Sequence, residues 1–441
     1  MGTQAVPAQL AQRGDRVADR VADHRTPTKS EAERGVSLPP VDRVGVVVAG
    51  AGARGAYEAG ALSVLLPALE RAGARPAVFV GASAGAINAT LMAGLAHLTA
   101  DEVGAAMLDV WRTTTRSDVF RSLLLTAPVT ALRYGAEFLG LPLPRLTGLL
   151  DTSPQQALAE GAIDWDQLQR NIRDGRIGAL AVVATTAASG RTMVFVGHSE
   201  EVTLPATDPD RALDYVSTQV GPAHVLASSA IPGAFPAVAI DDPREVADWY
   251  TDGGVRLNTP IKPALDLGVS HVVVVATHPA HYPPAAHLPG EKHRPEVDDM
   301  VVQVLEAAMV DRMVEDVRTL GKLNELIVGG GRRPYAGRAY RVVPYLFAGP
   351  GTRRDVGVVA REVFAEQYGG FGGALKALRD PDIPLLRRLM TDTDGPREGD
   401  LLSFLYFDPA FMDAAIELGQ QDAARLLEPV EPGQLPWRVF P

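Results

Sequence analysis

Three short stretches of this sequence hold residues whose types and spacing could do chemistry. The sharpest is Gly81-Ala-Ser83-Ala-Gly85, which follows the apolar run Pro76–Val80 and opens a segment of helical pattern, Ala84–Ala96. At such a strand-to-helix turn the small neighbours Gly81 and Gly85 let a strained backbone lift a serine hydroxyl clear of a sheet. The positive end of the helix then favours negative charge developing beside it. A small-residue turn in an Ala/Gly-rich chain would look similar, but the required flanking elements favour a nucleophile at Ser83. The second stretch is Gly50-Ala51-Gly52-Ala53-Arg54-Gly55, again directly after an apolar run and at the start of a helix. Alone it fits the dinucleotide fingerprint G-x-G-x-x-G, which expects an acidic residue at the end of the next strand. That strand runs instead into Ser83. The other use of such a loop is to aim bare backbone N–H groups at an anion, as an oxyanion hole requires. The third stretch is Asp252-Gly253-Gly254, where a carboxylate emerges at a strand end and two glycines force a tight turn. Taken by itself it is equally an ordinary Asp-Gly turn.

These groups need elements to hold them. Val44–Ala49 reads as a buried parallel strand, Ala56–Ala72 as a helix with Leu62, Leu65, Leu66 and Leu69 at helical spacing, and Pro76–Val80 as a second strand. A strand–helix–strand–helix unit predicts an α/β fold with a mainly parallel central sheet and helices on both faces. Further strands are expected at 178–186, 192–196, 246–250, 270–276 and 340–346, with Ser189-Gly190-Arg191 as a hairpin turn. Helices are expected at 99–113, where Thr99 and Glu102 fit a capping box, and at 164–174, 295–328 and 408–427. If the first two strands are neighbours, their carboxyl ends put the glycine loop and Ser83 side by side.

With the three motifs in that order, the chain closely resembles the patatin-like phospholipase family. Ala227-Ser-Ser-Ala-Ile-Pro-Gly-Ala-Phe-Pro-Ala-Val238 is similar to the family's segment preceding the catalytic acid, and Asn258-Thr-Pro260 to its continuation. The resemblance spans roughly residues 44–276, with weaker similarity around residues 401–424. It implies the patatin-like three-layer fold and a lipid acyl hydrolase with a Ser–Asp dyad: Ser83 as nucleophile, Asp252 as general base, and Gly50, Ala51, Gly52, Arg54 and Gly55 as the oxyanion loop. It implies no metal and no organic cofactor. Ala51 departs from the family, which commonly has a third glycine there. The organisation expected is an N-terminal arm over 1–41, a catalytic core over 42–276, a Pro/His-rich connector over 277–295 and a mostly helical C-terminal part over 296–441.

A rival arrangement of the same hydrolytic centre adds His278, which lies after Ser83 and Asp252 in the order of an α/β-hydrolase triad. His278, His281, His287 and His293 share the connector, where solvent-facing histidines are the commoner outcome. Their spacings of three, six and six residues lack a helical register for a metal. Segment 117–150 inside the core is apolar and broken by Pro128, Pro142 and Pro144. It reads as a cap that lines an acyl-chain groove or dips into an interface, or else as helices packed on the core.

Composition excludes several other classes. Lys+Arg number 42 against 53 Asp+Glu, a net charge of −11, so bulk nucleic-acid binding lacks its cations. With no cysteine, thiolate metal sites, disulfides and a Cys nucleophile are excluded. No run reaches the roughly 18 apolar residues of a spanning helix, and the first forty residues hold no secretory signal. The expected setting is cytoplasmic with peripheral contact at a membrane, and the expected partner a lipid or acyl ester.

Overall fold

Among the described residues, a nine-stranded sheet grows from central runs of β-branched residues that are buried on both sides. A computed structural model describes residues 38–122, 132, 147–208, 210–279, 311–330, 340–351, 355–369, 382, 383, 386 and 400–440. The strands are β1 (Val44–Val48), β2 (Pro76–Ala82), β3 (Ala179–Thr186), β4 (Thr192–His198), β5 (Leu213–Ser217), β6 (Val238–Ile240), β7 (Asp248–Asp252), β8 (His271–Val275) and β9 (Tyr345–Ala348). Their order is β5-β4-β3-β2-β1-β8-β9, with β7 added to β3 and β6 to β7. Pairing is parallel from β3 through β2, β1 and β8 to β9, and between β4 and β5; it is antiparallel where β3 meets β4 and β7. In β1, Val46 and Val48 enter one core while Val47 enters the other, and β8 divides its valines the same way. Such strands read as continuous apolar runs because helices cover both faces.

The first helices are α1 (Gly55–Arg71), α2 (Ala84–Gly94), α3 (Ala100–Thr113), α4 (Arg116–Val119), α5 (Ser153–Gly161) and α6 (Trp165–Arg173). They are followed by α7 (Pro222–Ser228), α8 (Gly254–Leu257), α9 (Ile261–Asp266), α10 (Asp311–Val328), α11 (Asp355–Tyr368), α12 (Asp400–Leu405) and α13 (Pro409–Leu427). One face carries α1, α2, α3 and α13, and the other carries α9 and α10. The capping box of α3 is present, with Thr99 and Glu102 each accepting from the other's backbone. Strands β5 and β6 were not expected: each is short and follows a Pro- or Asp-rich loop, so its pattern is too brief to read. Strand β7 runs two residues further than its apolar stretch suggests, because Asp252 itself pairs with Ala184.

Helix α13 lies directly against α1. An added Cβ on Gly419 would run into the Tyr57 carbonyl, and one on Gly60 into that of Ile416, while the Tyr57 hydroxyl donates to Asp422 Oδ2 at 2.8 Å. Because the two backbones touch, Gly419→Val is expected to cost about 3 kcal/mol, read as a lower urea midpoint. An unchanged midpoint would mean that α13 moves aside freely.

Several expectations lie outside the described residues: the arm up to residue 37, most of the apolar segment (123–131 and 133–146), the connector from residue 280 with His281, His287 and His293, and residues 295–310 of the long helix. Among the described residues no helix is long and apolar enough to cross a membrane.

Candidate active site

Ser83 stands at the sharp turn between β2 and α2. Its φ of 53° and ψ of −129° lie in a region L-residues rarely adopt, a strain that the surrounding packing must hold. The glycines on either side have separate reasons. A Cβ on Gly81 would strike the Gly85 carbonyl, and one on Gly85 would strike the Val48 and Ala49 carbonyls, so only glycine lets α2 start this close to the sheet.

The turn also frees an edge of the sheet. β2 pairs with β3 as far as Ala82 opposite Val183, and from Ala184 onward the same edge is taken by antiparallel β7, with Asp252 opposite Ala184. The carboxyl ends of β2 and β7 therefore meet head to head, which brings Ser83 to Asp252. The Ser83 side chain comes close enough to the Asp252 carboxyl to favour its charged form, and the Gly254 N–H donates to Asp252 Oδ1 at 2.6 Å. Ser83 is 4% exposed and Asp252 2%. Burial pushes the Asp252 carboxyl from its ordinary 3.8 up to about 6, against the Ser83 side chain and the Gly254 N–H, which favour its charged form. Gly253 packs on the Val183 carbonyl with no room for a Cβ. Asn258, just beyond α8, links this turn to the glycine loop by accepting the Gly50 N–H on its backbone carbonyl at 3.0 Å.

The loop itself is narrower in use than its sequence suggests. The N–H of Gly50 goes to Asn258, that of Arg54 to Ala51, and that of Gly55 to the carbonyls of Ala53 and Gly52. These three are therefore corrected as oxyanion donors, since each N–H already has an acceptor. Gly52, with φ of 55°, is the loop residue that reaches the same cavity as Ser83 and Ala84. The Arg54 side chain is fully buried: Nε donates to Ser403 at 2.7 Å, Nη1 lies 3.2 Å from His278 Nε2, and the guanidinium sits over the Phe404 ring. Helix α12 thus closes over the loop, with the Phe404 carbonyl 2.6 Å from where a Gly52 Cβ would be. Sequence reading gave α12 no part in the site, and the only signal over it is the weaker family similarity around residues 401–424.

His278 is buried rather than solvent-facing. A guanidinium only donates, so Nε2 accepts from Arg54 and the imidazole lone pair faces a cation. The chain of bonds behind the loop continues through Asn88, which donates to the Gly55 carbonyl and to Glu58 and accepts from Trp111 Nε1 at 2.8 Å. Burial holds the Glu58 carboxyl well above its usual range, against the hydrogen bond from Asn88.

Ser83 opens onto an apolar cavity of about 880 Å³, mouth included. Ile87 and Trp111 form one wall, Leu158 and Ala159 of α5 another, and Ile231, Phe235 and Phe404 close the rest. Among the described residues no group of three or more His, Cys, Asp or Glu side chains could hold a metal ion.

Residues 46–265 match the family model described as patatin-like phospholipase. No curated protein matches the chain significantly. Among solved structures, the crystal structure of VipD from Legionella pneumophila aligns at 13% identity with a TM-score of 0.29, covering 87% of this chain and 68% of that one.

Proposed function

The chain belongs to the patatin-like phospholipase family through residues 46–265 and is a hydrolase acting on lipid ester bonds; from that premise we propose a Ser83–Asp252 dyad that works through an acyl-enzyme. The observation that carries this reading is the meeting of the carboxyl ends of β2 and β7, which brings the strained Ser83 turn, open to an apolar cavity, to a buried Asp252. Ser83 Oγ attacks the ester carbonyl carbon while Asp252 takes its proton. The oxyanion falls to the N–H groups of Gly52 and Ala84, the second lying at the start of α2 where the helix end favours negative charge. Collapse breaks the bond to the alcohol, which leaves with the proton from Asp252. Water then gives a proton to Asp252 and attacks the acyl-enzyme carbonyl; collapse breaks the bond to Ser83 Oγ, which takes the proton back from Asp252 as the carboxylic acid leaves.

An aspartate of ordinary pKa is a poor match for a serine hydroxyl. Raising it to about 6 makes Asp252 roughly a hundredfold stronger as a base, and the oxyanion donors supply the remaining stabilisation. His278 is not needed, because its lone pair is engaged by Arg54. Labelling with a fluorophosphonate tests this: Ser83 should be the modified residue, and at an undiminished rate in His278→Gln, which keeps an acceptor for Arg54. Labelling that collapses in folded His278→Gln would restore the triad.

The cavity accepts the acyl chain. Ala159→Phe, which fills it from α5, is expected to slow long-chain esters roughly tenfold or more while sparing acetate esters. Equal losses on both would place the chain elsewhere. The same reading takes the protein to act at a lipid surface, supported by Leu132 and Leu149, which are 70% and 57% exposed. Leu149→Asp should then slow hydrolysis of phospholipid vesicles but leave a soluble short ester unaffected.

A further inference from the structure

The edge that β2 gives up at Ser83 is closed by a side chain with no part in the chemistry above. With Ala82 beside Val183, a straight continuation of β2 would hand the Ser83 N–H to the Val183 carbonyl. Because β2 turns, the Ser83 N–H donates instead to Ser228 Oγ at 3.0 Å, and the Ser228 hydroxyl donates to the Val183 carbonyl at 2.6 Å. One hydroxyl stands where one ladder hydrogen bond would be. Ser228 is fully buried, so both bonds are shielded from water. Two residues on, the Ala230 carbonyl accepts the Asp252 N–H at 2.8 Å. Residues 228–230 therefore grip the backbones of both Ser83 and Asp252.

We infer that Ser228 is a positioning residue, whose hydroxyl holds the β2–β3 ladder open and so sets the distance and direction of Ser83 relative to Asp252. The inference rests on the dyad reading above. Without the hydroxyl, the Ser83 N–H and the Val183 carbonyl become a buried unpaired donor and acceptor, a loss relieved by re-forming the direct ladder bond. That bond draws Ser83 toward β3, out of its left-handed conformation and away from Asp252.

The test is the pH dependence of p-nitrophenyl butyrate hydrolysis by wild type, Ser228→Ala, Ser228→Thr and Ser228→Cys, with Ser83→Ala and Asp252→Asn as references and melting curves for all. Ser228→Ala is expected to lower kcat about 10²-fold, the effect of a misplacement near 1 Å, with little change in KM. The acid limb of its kcat/KM profile should move upward, because Asp252 loses the Ser83 hydroxyl that favours its ionised form. Ser228→Thr keeps the hydroxyl and should restore the rate and the limb, whereas Ser228→Cys, a weak donor, should behave as alanine does. A folded Ser228→Ala with the wild-type rate and limb overturns the inference. If that variant does not fold, the other two decide, and equal rates and limbs for threonine and cysteine overturn it. Activity surviving in Ser83→Ala defeats the dyad itself. Loss in both reference variants beside wild-type behaviour at Ser228 defeats only the positioning role.

Discussion

Asp252→Asn is expected to reduce kcat for ester hydrolysis by about 10³-fold and Ser83→Ala by about 10⁴-fold or more, with both proteins folded. The larger figure follows because removing the nucleophile leaves only binding and oxyanion stabilisation to act on water. The smaller one follows because an amide cannot take the proton, while Ser83, the Gly52 and Ala84 N–H groups and the cavity remain. The two residues act as a unit, so the double variant should be little worse than Ser83→Ala alone. Initial rates on a mid-chain ester, with a thermal melt of each protein, check this. A folded Asp252→Asn within tenfold of wild type would remove Asp252 from the mechanism.

The same substitution should stabilise the protein at neutral pH while abolishing its activity. Asp252 titrates at about 6 when folded against 3.8 ordinarily, a raised value set by burial. The carboxyl therefore contributes fully to stability below about pH 4, and that contribution is lost as pH rises through 6. At pH 8 its buried charge costs about 2 kcal/mol relative to pH 4, a cost that asparagine avoids. Urea unfolding at pH 4 and pH 8 should show the variant gaining on wild type at the higher pH only. A gap that is the same at both would mean that Asp252 titrates normally. With Asp252 as the proposed base, activity carries the opposite sign: wild-type kcat/KM should fall about tenfold per unit below pH 6. With that base, the pH range in which the site should work is the range in which it weakens the fold.

How far this was legible without coordinates differs from residue to residue. The runs at β1, β2, β3 and β8 announce themselves because both faces are covered, and the Ser83 turn does so because its glycines are demanded by backbone contacts only one residue type allows. The capping box at Thr99 is equally local. His278 was misjudged as solvent-facing because its neighbours in the chain are polar and Pro-rich, whereas its neighbours in space are Arg54 and Phe404. The glycine loop was read too broadly, since spacing shows which N–H groups exist but not which already have acceptors.

The sequence by itself determined the α/β class, the strand-to-helix turn that carries Ser83 and the Asp252-Gly253-Gly254 turn, because each is written in contiguous residues whose local geometry has few alternatives. Only the tertiary structure decided that β7 takes over the β3 edge where β2 leaves it, that Ser228 bridges the gap, and that α12 closes the loop. The hydrogen bonds among those contacts join residues 45, 145 and 349 positions apart. At such separations strand order and packing, rather than periodicity, choose the partners, and no stretch of chain carries that choice within itself.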